Sequence, residues 1–348
     1  MRIAQVCPRY PPYIGGVETH VAEISGRLAR AGHDVTVIST DPAGKYPRDE
    51  VIDGVRVLRF PAFAPGDAYY LSPSLSNFVK KSQGFDIVHA HGYHAFPALL
   101  ATASSARKFV FTPHYHGKGH TPLRNLLLKP YKVAGSRVFR RADSVICVSE
   151  FEKGLVCRDF GCDGKVKVIP NGVIKSEFAG LKTVRASKVI LYVGRLEQYK
   201  GVQYAIRALG ELPDYRLQII GKGPYKEALV KEAADAGVSE RVEFHSGLTR
   251  EELLKCYASA EVTVMLSKFE AYGITVAEAL TAGVPTIVAN GSALSEFVDG
   301  GLCRSVDLPV SPEMLADMIR KAERMPYMKE ILDWDDVVRR LLTVYQEG

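Results

Sequence analysis

Short apolar runs alternate with segments of helical period along most of this 348-residue chain, and the alternation stops once and restarts. In the first round, Ile3–Cys7, Val35–Ser39, Val55–Arg59, Ile87–His89, Phe109–Thr112, Val145–Val148 and Val166–Ile169 read as strands. Between the first two, Val17, Val21, Ile24, Leu28 and Ala31 recur at helical spacing, and Gly32 closes that helix. The polar stretch Lys175–Ser187 has little apolar periodicity and reads as a linker. The pattern then resumes with strands at Val189–Val193, Leu217–Ile220, Val242–Phe244, Val262–Leu266 and Thr286–Ala289. Helices at Val202–Leu209, Tyr225–Ala236, Glu251–Ala258 and Ile274–Thr281 fall between them. Short apolar strands that alternate with helices call for parallel sheets covered on both faces. The expected fold is α/β: two doubly wound Rossmann-like domains, residues 1–174 and 188–328, across an interdomain cleft. Ligands then belong at the carboxyl ends of the strands. A closing segment, 329–348, holds an amphipathic helix near Trp334–Tyr345 with Val337, Leu341, Val344 and Tyr345 on one face.

No apolar stretch approaches the roughly 18–20 residues of a membrane span. The first run is too short for a signal-peptide core, and Pro8 follows it at once. The six cysteines are dispersed, and no second pair joins Cys157 and Cys162 in a zinc pattern, so they read as reduced thiols of a cytoplasmic protein. Net charge is +6, but it is uneven: residues 1–180 hold 24 Lys and Arg against 15 Asp and Glu, and the remainder holds 21 against 24. The first half attracts anions and the second does not. Between Thr121 and Arg141 lie six basic residues (Arg124, Lys129, Lys132, Arg137, Arg140, Arg141) and no acid, with Leu123, Leu126, Leu127, Tyr131, Val138 and Phe139 interleaved. One reading is a solvated helix face. The other is a basic amphipathic surface for anionic lipid, which gives peripheral contact at the inner membrane face. No helix-turn-helix, zinc-finger or RNP-like aromatic pattern points to nucleic acid.

Polar chemistry collects where strands hand over to helices. Gly15-Gly16-Val17-Glu18 follows the first strand, where a dinucleotide fingerprint would need G-x-G-x-x-G; that motif is absent. Two adjacent glycines admit a ligand close to the backbone and leave helix-start amides for an anion, or simply make a tight turn. The strand ending at Val193 runs into Gly194-Arg195-Leu196-Glu197-Gln198-Tyr199-Lys200-Gly201. There Arg195 offers a planar fork and Lys200 a point charge, a pair suited to a diphosphate; the plain alternative is surface solvation. Gly221-Lys222-Gly223-Pro224 follows the next strand and permits close backbone approach. Glu270 lies in the loop after another strand, and Glu278 two turns into the following helix. Such acids can be a cap and an exposed helical residue. Equally, Glu270 can accept hydrogen bonds from sugar hydroxyls, Glu278 can reach a ribose, and the amides near Gly273, Ile274 and Thr275 can receive phosphate or sugar oxygens. None of this needs a metal.

In this order, the segments resemble the retaining glycosyltransferases of the GT-B fold, specifically glycosyltransferase family 4. Glu270 and Glu278 match its E-x7-E element, Gly194–Gly201 its G-R-x-x-x-x-K-G-like segment, and Gly15–Glu18 its G-G-x-E turn. Val145–Glu150 and Val168–Val173 resemble its V-S-E strand end and its interdomain stretch. The resemblance covers nearly the whole chain. It implies metal-independent transfer, with retention, from a UDP- or GDP-sugar to an acceptor hydroxyl on a glycan, lipid or small molecule, without a cofactor. The donor would lie mainly on the second domain, against Gly15, Gly16, Arg195, Lys200, Gly221, Gly223, Leu248, Glu270, Gly273, Ile274, Thr275 and Glu278. The acceptor would lie on the first domain, and the last helix would cross back to it. The chain departs from the family's pattern at Asp299–Pro309, which looks shortened after Gly291–Glu296.

Six of the nine histidines fall between positions 89 and 120: His89, His91, His94, His114, His116 and His120. His89-x-His91 and His114-x-His116 each end a strand, a spacing capable of zinc, but no Cys or carboxylate completes a set. Structural packing and contact with donor or acceptor are the other readings. The resemblance implies that a histidine just after the second of these strands faces the transferred sugar; Thr112-Pro113-His114 is the best match and His116 the alternative. Arg195, Lys200, Glu270 and His114 are then the residues expected to act on the reaction. Asp333-x-Asp335 resembles a metal-binding D-x-D, yet it opens a helix and suits a cap. The rival functions are a sugar-nucleotide epimerase, which would need no acceptor, and a nucleotide-sugar-binding protein without turnover.

Overall fold

The computed structural model describes residues 1–117, 122–161, 163–181, 188–299, 301, 303–322 and 331–347, with backbone only for 122–130 and 163. The chain forms two compact units, Met1–Asn171 with Trp334–Gly348, and Gly172–Asp333. Among the described residues, no helix is long and apolar enough to cross a membrane.

The first unit is built on an eight-stranded sheet: β1 (Arg2–Val6), β2 (Asp34–Thr40), β3 (Asp49–Ile52), β4 (Val55–Phe60), β5 (Ile87–His91), β6 (Lys108–Thr112), β7 (Ser144–Cys147) and β8 (Val166–Val168). Their order is β3-β4-β2-β1-β5-β6-β7-β8. All neighbours run parallel except β3 and β4. The chain winds from β1 to one side and then resumes at β5 on the other, so the switch in direction falls between β1 and β5. The two-residue period of a strand sorts side chains by face. Ala4, Val6, Val88, Ala90, Phe109 and Phe111 point to one side and join the core formed with Leu75, Ala98, Val138, Phe139 and Val156. Gln5, His89, His91 and Thr112 alternate onto the other, and all four are buried. The helices Gly16–Arg30 and Trp334–Gln346 pack together in this unit, with Arg27 Nε 2.6 Å from Asp335 Oδ1.

The second unit holds a six-stranded parallel sheet: β9 (Val189–Val193), β10 (Arg216–Ile220), β11 (Val242–His245), β12 (Val262–Met265), β13 (Thr286–Ala289) and β14 (Arg304–Val306), in the order β11-β10-β9-β12-β13-β14. The central strands β9 and β12 are buried along their whole length. Here the switch falls between β9 and β12.

Two features differ from the sequence expectations. The edge strand β3, antiparallel to β4, and the short β14 were not anticipated; β14 lies within the stretch expected to be shortened. Lys175–Phe178, expected in a linker, forms a helical turn whose Phe178 packs into the second unit's core; residues 182–187 lie outside the described residues. The basic segment forms the helix Pro122–Arg141, and of its interleaved apolar residues those whose side chains are described pack inward. Val138 and Phe139 are core residues, Tyr131 packs against them, Lys132 pairs with Asp159, and Arg141 lies 3.4 Å from Asp143. Thr121 and the side chains of Leu123, Arg124, Leu126, Leu127 and Lys129 lie outside the described residues, as do His120 and Cys162.

Candidate active site

In the second unit, the loops after β9 and β12 meet at the switch point. Lys200 Nζ lies 2.5 Å from Glu270 Oε1, and both side chains are largely buried. The loop after β9 turns through Gly201, whose left-handed φ of 75° starts the helix Val202–Ala208. A Cβ at Gly201 would collide with the Leu266 carbonyl at the end of β12, so glycine is what lets these two loops touch. Burial disfavours the Lys200 ammonium, but Glu270 and the Tyr199 hydroxyl outweigh it and raise its pKa. Arg195 is half exposed and sits 3.3 Å from Glu197.

Gly221 and Gly223 serve packing between loops. A Cβ on either would run into the backbone oxygen of Gly194 or Leu196, and Leu196 N donates to Lys222 O at 2.9 Å. The expected close approach is thus met by protein backbone. Gly273, with φ of 110°, begins the helix Ile274–Thr281; its carbonyl accepts from Val276 and Ala277. The amides of Ile274 and Thr275 stand in the first turn, where a helix has no internal acceptor for them. Leu248 follows β11 and packs against the core, one residue before the capping box of Thr249 and Glu252.

Glu278 belongs to a different group. Arg250 Nη1 lies 2.6 Å from its Oε1, and the Tyr257 hydroxyl donates to its Oε2 at 2.9 Å. Arg250 also pairs with Glu177 at 2.7 Å. Burial, together with Glu278, pushes the Tyr257 hydroxyl well above its ordinary pKa. Both oxygens of Glu278 are therefore engaged by protein, and the structure joins Lys200 directly to Glu270 but not to Glu278.

In the first unit, Glu18 turns back over Gly15, where a Cβ would strike its carboxylate. It holds Arg9 Nε at 2.8 Å, and Arg9 in turn pairs with Asp67. The helix start at Gly16 is thus faced by its own carboxylate. His114 follows β6 in a left-handed conformation, φ of 47°, uncommon for a side chain of its size. The fully buried Glu152 clamps this loop: its carboxylate accepts from the backbone amides of Tyr115 and, at 2.7 Å, Val148. His114 stands edge-on to His20, ring centroids 5.0 Å apart, while His116 stacks on His94 at 4.4 Å. Burial lowers the pKa values of His89, His91 and His114, and that of His20 to about 4, so all four are neutral at pH 7.

The sequence reading did not single out His20, Gln5 or Glu152, and placed Tyr345 only on the apolar face of the last helix. Tyr345 donates to His89 Nδ1 at 2.7 Å and receives Gln5 Nε2 at 3.1 Å, while Gln5 Oε1 faces His91 Nε2 at 2.7 Å. A partial signal was present for His20: it sits among Val17, Val21 and Ile24 on the apolar stripe of its helix, where a polar ring needs a partner. Asp333 and Asp335 are both engaged, Asp333 by the Lys175 amide at 3.0 Å and Asp335 by Arg27.

Residues 14–177 match the family model described as Glycosyltransferase Family 4, and residues 174–334 that of Glycosyl transferases group 1. The chain is 31% identical over 334 residues to glycogen synthase of Mycobacterium tuberculosis, covering 86% of this chain and 81% of that protein. It is 30% identical over 327 residues to the GDP-mannose-dependent alpha-(1-6)-phosphatidylinositol monomannoside mannosyltransferase of Mycolicibacterium smegmatis, covering 86% and 83%. Among solved structures it is similar to sucrose-phosphate synthase from Thermosynechococcus elongatus (TM-score 0.80, 19% identity, 99% and 98% covered) and to Anabaena HepE in complex with UDP and glucose (TM-score 0.79, 19% identity, 100% of each chain). Two Rossmann-like units, the motifs in family order and relatives at this identity together make the chain a GT-B glycosyltransferase of family 4.

Proposed function

We propose that the protein transfers a hexosyl group from a nucleoside-diphosphate sugar, a UDP- or GDP-sugar, to an acceptor hydroxyl, with retention at the anomeric carbon and without a metal. The observation that carries this reading is the Lys200–Glu270 pair at the switch point of the second sheet, where ligands of doubly wound folds bind. The barrier is departure of the nucleoside diphosphate from a sugar of oxocarbenium character. Lys200, Arg195 and the amides of Ile274 and Thr275 stabilise the charge that grows on the leaving phosphate. Glu270 balances Lys200 while the site is empty; once a diphosphate faces the ammonium, the carboxylate accepts from hydroxyls of the donor sugar. The acceptor oxygen attacks on the face the phosphate leaves, the C–O bond to phosphate breaks as the new one forms, and the acceptor's proton passes to the departing phosphate. His114 contacts the transferred sugar, as the family resemblance implies. Gly15, Gly16, Gly221, Gly223 and Gly273 shape the backbone around the donor, Leu248 bounds it, and Glu278 reaches its ribose.

The acceptor is assigned to the first unit, whose excess of basic residues favours one with an anionic group. We place the protein in the cytoplasm, a reading supported by the cysteines Cys7, Cys147, Cys157, Cys256 and Cys303, all present as thiols.

The test combines thermal-shift screening of UDP-, GDP- and ADP-sugars with product mass in the presence of candidate acceptors. Arg195→Ala and Lys200→Ala each lower kcat by about 10²–10³-fold while circular dichroism stays unchanged. Turnover survives EDTA. Undiminished turnover in both variants would refute the phosphate assignment, and a loss with EDTA that manganese or magnesium restores would refute metal independence.

A further inference from the structure

Three histidines from three different elements converge in the first unit: His20 from the helix Gly16–Arg30, His91 from the end of β5, and His114 from the loop after β6. Their ring centroids lie 5.0, 5.4 and 6.1 Å apart, and each ring offers a nitrogen within 4.8 Å of the other two. Imidazoles bound to one tetrahedral zinc at about 2.0–2.1 Å hold their centroids about 5 Å apart. The rings therefore already stand near that spacing, and shifts on the order of 1 Å bring the nitrogens into a coordination shell.

The hydrogen bonds around the trio fix which nitrogens face inward. His20 Nδ1 lies 2.7 Å from Asn171 Oδ1, an acceptor, so that nitrogen carries the proton and Nε2 keeps its lone pair. Gln5 donates its amide nitrogen to Tyr345 and turns its oxygen to His91 Nε2, which leaves the lone pair of His91 on Nδ1. Anchoring the outer ring nitrogen on a carbonyl is how metal-ligating histidines are oriented. His91 Nδ1 and His114 Nε2 are both buried without a hydrogen-bond partner. Buried polar atoms are costly to leave unmet, so two of them side by side mark a place for a partner. Three neutral imidazoles and no thiolate or carboxylate suit a borderline cation better than magnesium or calcium.

We propose that His20, His91 and His114 form a site for a divalent cation of the zinc class, with its fourth position open to water, and that occupation silences sugar transfer by withdrawing His114. The second part rests on the role given to His114 above. The cation exchanges bound water for three imidazole nitrogens; nothing is oxidised or transferred.

The test uses the full chain stripped of metal and titrated with Zn²⁺ and Co²⁺. One equivalent binds per chain, and Co²⁺ gives the intense visible absorption of tetrahedral coordination. Trp334, the only tryptophan of the chain, has its ring 5.7 Å from that of His20, so Co²⁺ also quenches its emission. His91→Gln and His20→Gln each weaken binding by more than about 100-fold, beyond the effect of losing an outer anchor, whereas His245→Gln, in the second unit, leaves it unchanged. Circular dichroism checks the fold of each variant, and having two ligand variants keeps the test decisive if one fails to fold. Transfer falls as Zn²⁺ fills the site and returns with EDTA. Absent binding, or equal binding by wild type and His91→Gln, overturns the site. Full binding with undiminished transfer overturns the silencing. Failure to transfer from any nucleotide-sugar would count against the proposed function alone, since absorbance and emission need no substrate.

Discussion

Lys200 keeps its charge in surroundings that would otherwise remove it, and it does so because Glu270 is 2.5 Å away. Taking away one partner leaves the other partly buried and uncompensated, which costs on the order of 3 kcal/mol in such pairs. Lys200→Ala and Glu270→Ala should each lower stability in urea unfolding, and the double variant should lose less than the sum of the two. A coupling of about 1–3 kcal/mol is the expected outcome of the cycle; strict additivity would mean the pair does not act as a unit. The folded pKa of Lys200 lies above its ordinary 10.5, so its contribution is complete below that pH and is lost as pH climbs through the raised value. Residues of this kind were open to sequence reading, since Arg195, Lys200 and Glu270 sit in recognisable segments at strand ends and Glu278 in the helix that follows. The partner of Glu278 was not: Arg250 and Tyr257 lie 28 and 21 residues away, and no spacing rule joins them.

At the level of elements, Asp159 ties together the helix Pro122–Arg141, the helix Glu150–Phe160 and the loop after β6. Burial opposes its charge, but hydrogen bonds from Arg158, Lys132 and the Tyr115 hydroxyl prevail and lower its pKa to about 2. A depressed carboxyl stabilises the fold above its ordinary pKa of 3.8, and that contribution, about 2 kcal/mol, drains away as pH falls from 3.8 toward 2. Asp159→Asn should flatten acid unfolding in this window while leaving the curve above pH 5 nearly parallel to wild type. Identical acid transitions would show that the three bonds do not hold the elements together. Elements with strong apolar runs were legible: β9, β13 and the helix Ile274–Thr281 have the bounds read from the sequence. β3 was not, because Asp49–Ile52 carries two acids and lies at a sheet edge where half its residues stay exposed. β14 has only three residues.

On the scale of the whole molecule, the first unit is discontinuous in sequence. Trp334, Val337, Leu341, Val344 and Tyr345 of the helix Trp334–Gln346 are all buried in it. At about 1.5–3 kcal/mol per buried apolar side chain, their removal costs roughly 10 kcal/mol, comparable with the stability of an entire domain. A chain ending at Asp333 should therefore lose residues 1–171 to limited proteolysis while 172–333 survives as a resistant fragment. Equal resistance of both segments would show that the helix adds nothing to the first unit. Tyr345 meets Gln5 across 340 residues of sequence, a contact no periodicity reveals.

The same arrangement sets a timetable for synthesis. A ribosome adds about 5–20 residues per second, so roughly 10–30 s separate the emergence of Asn171 from that of Trp334. During that interval the face carrying Gln5 and His89 lacks the Tyr345 hydroxyl that accepts from one and donates to the other, whereas the second unit has every strand it needs by the time Asp333 emerges. The part of the protein made first is thus the part completed last, and the nascent first unit waits with a polar-lined apolar face open to whatever chaperone meets it.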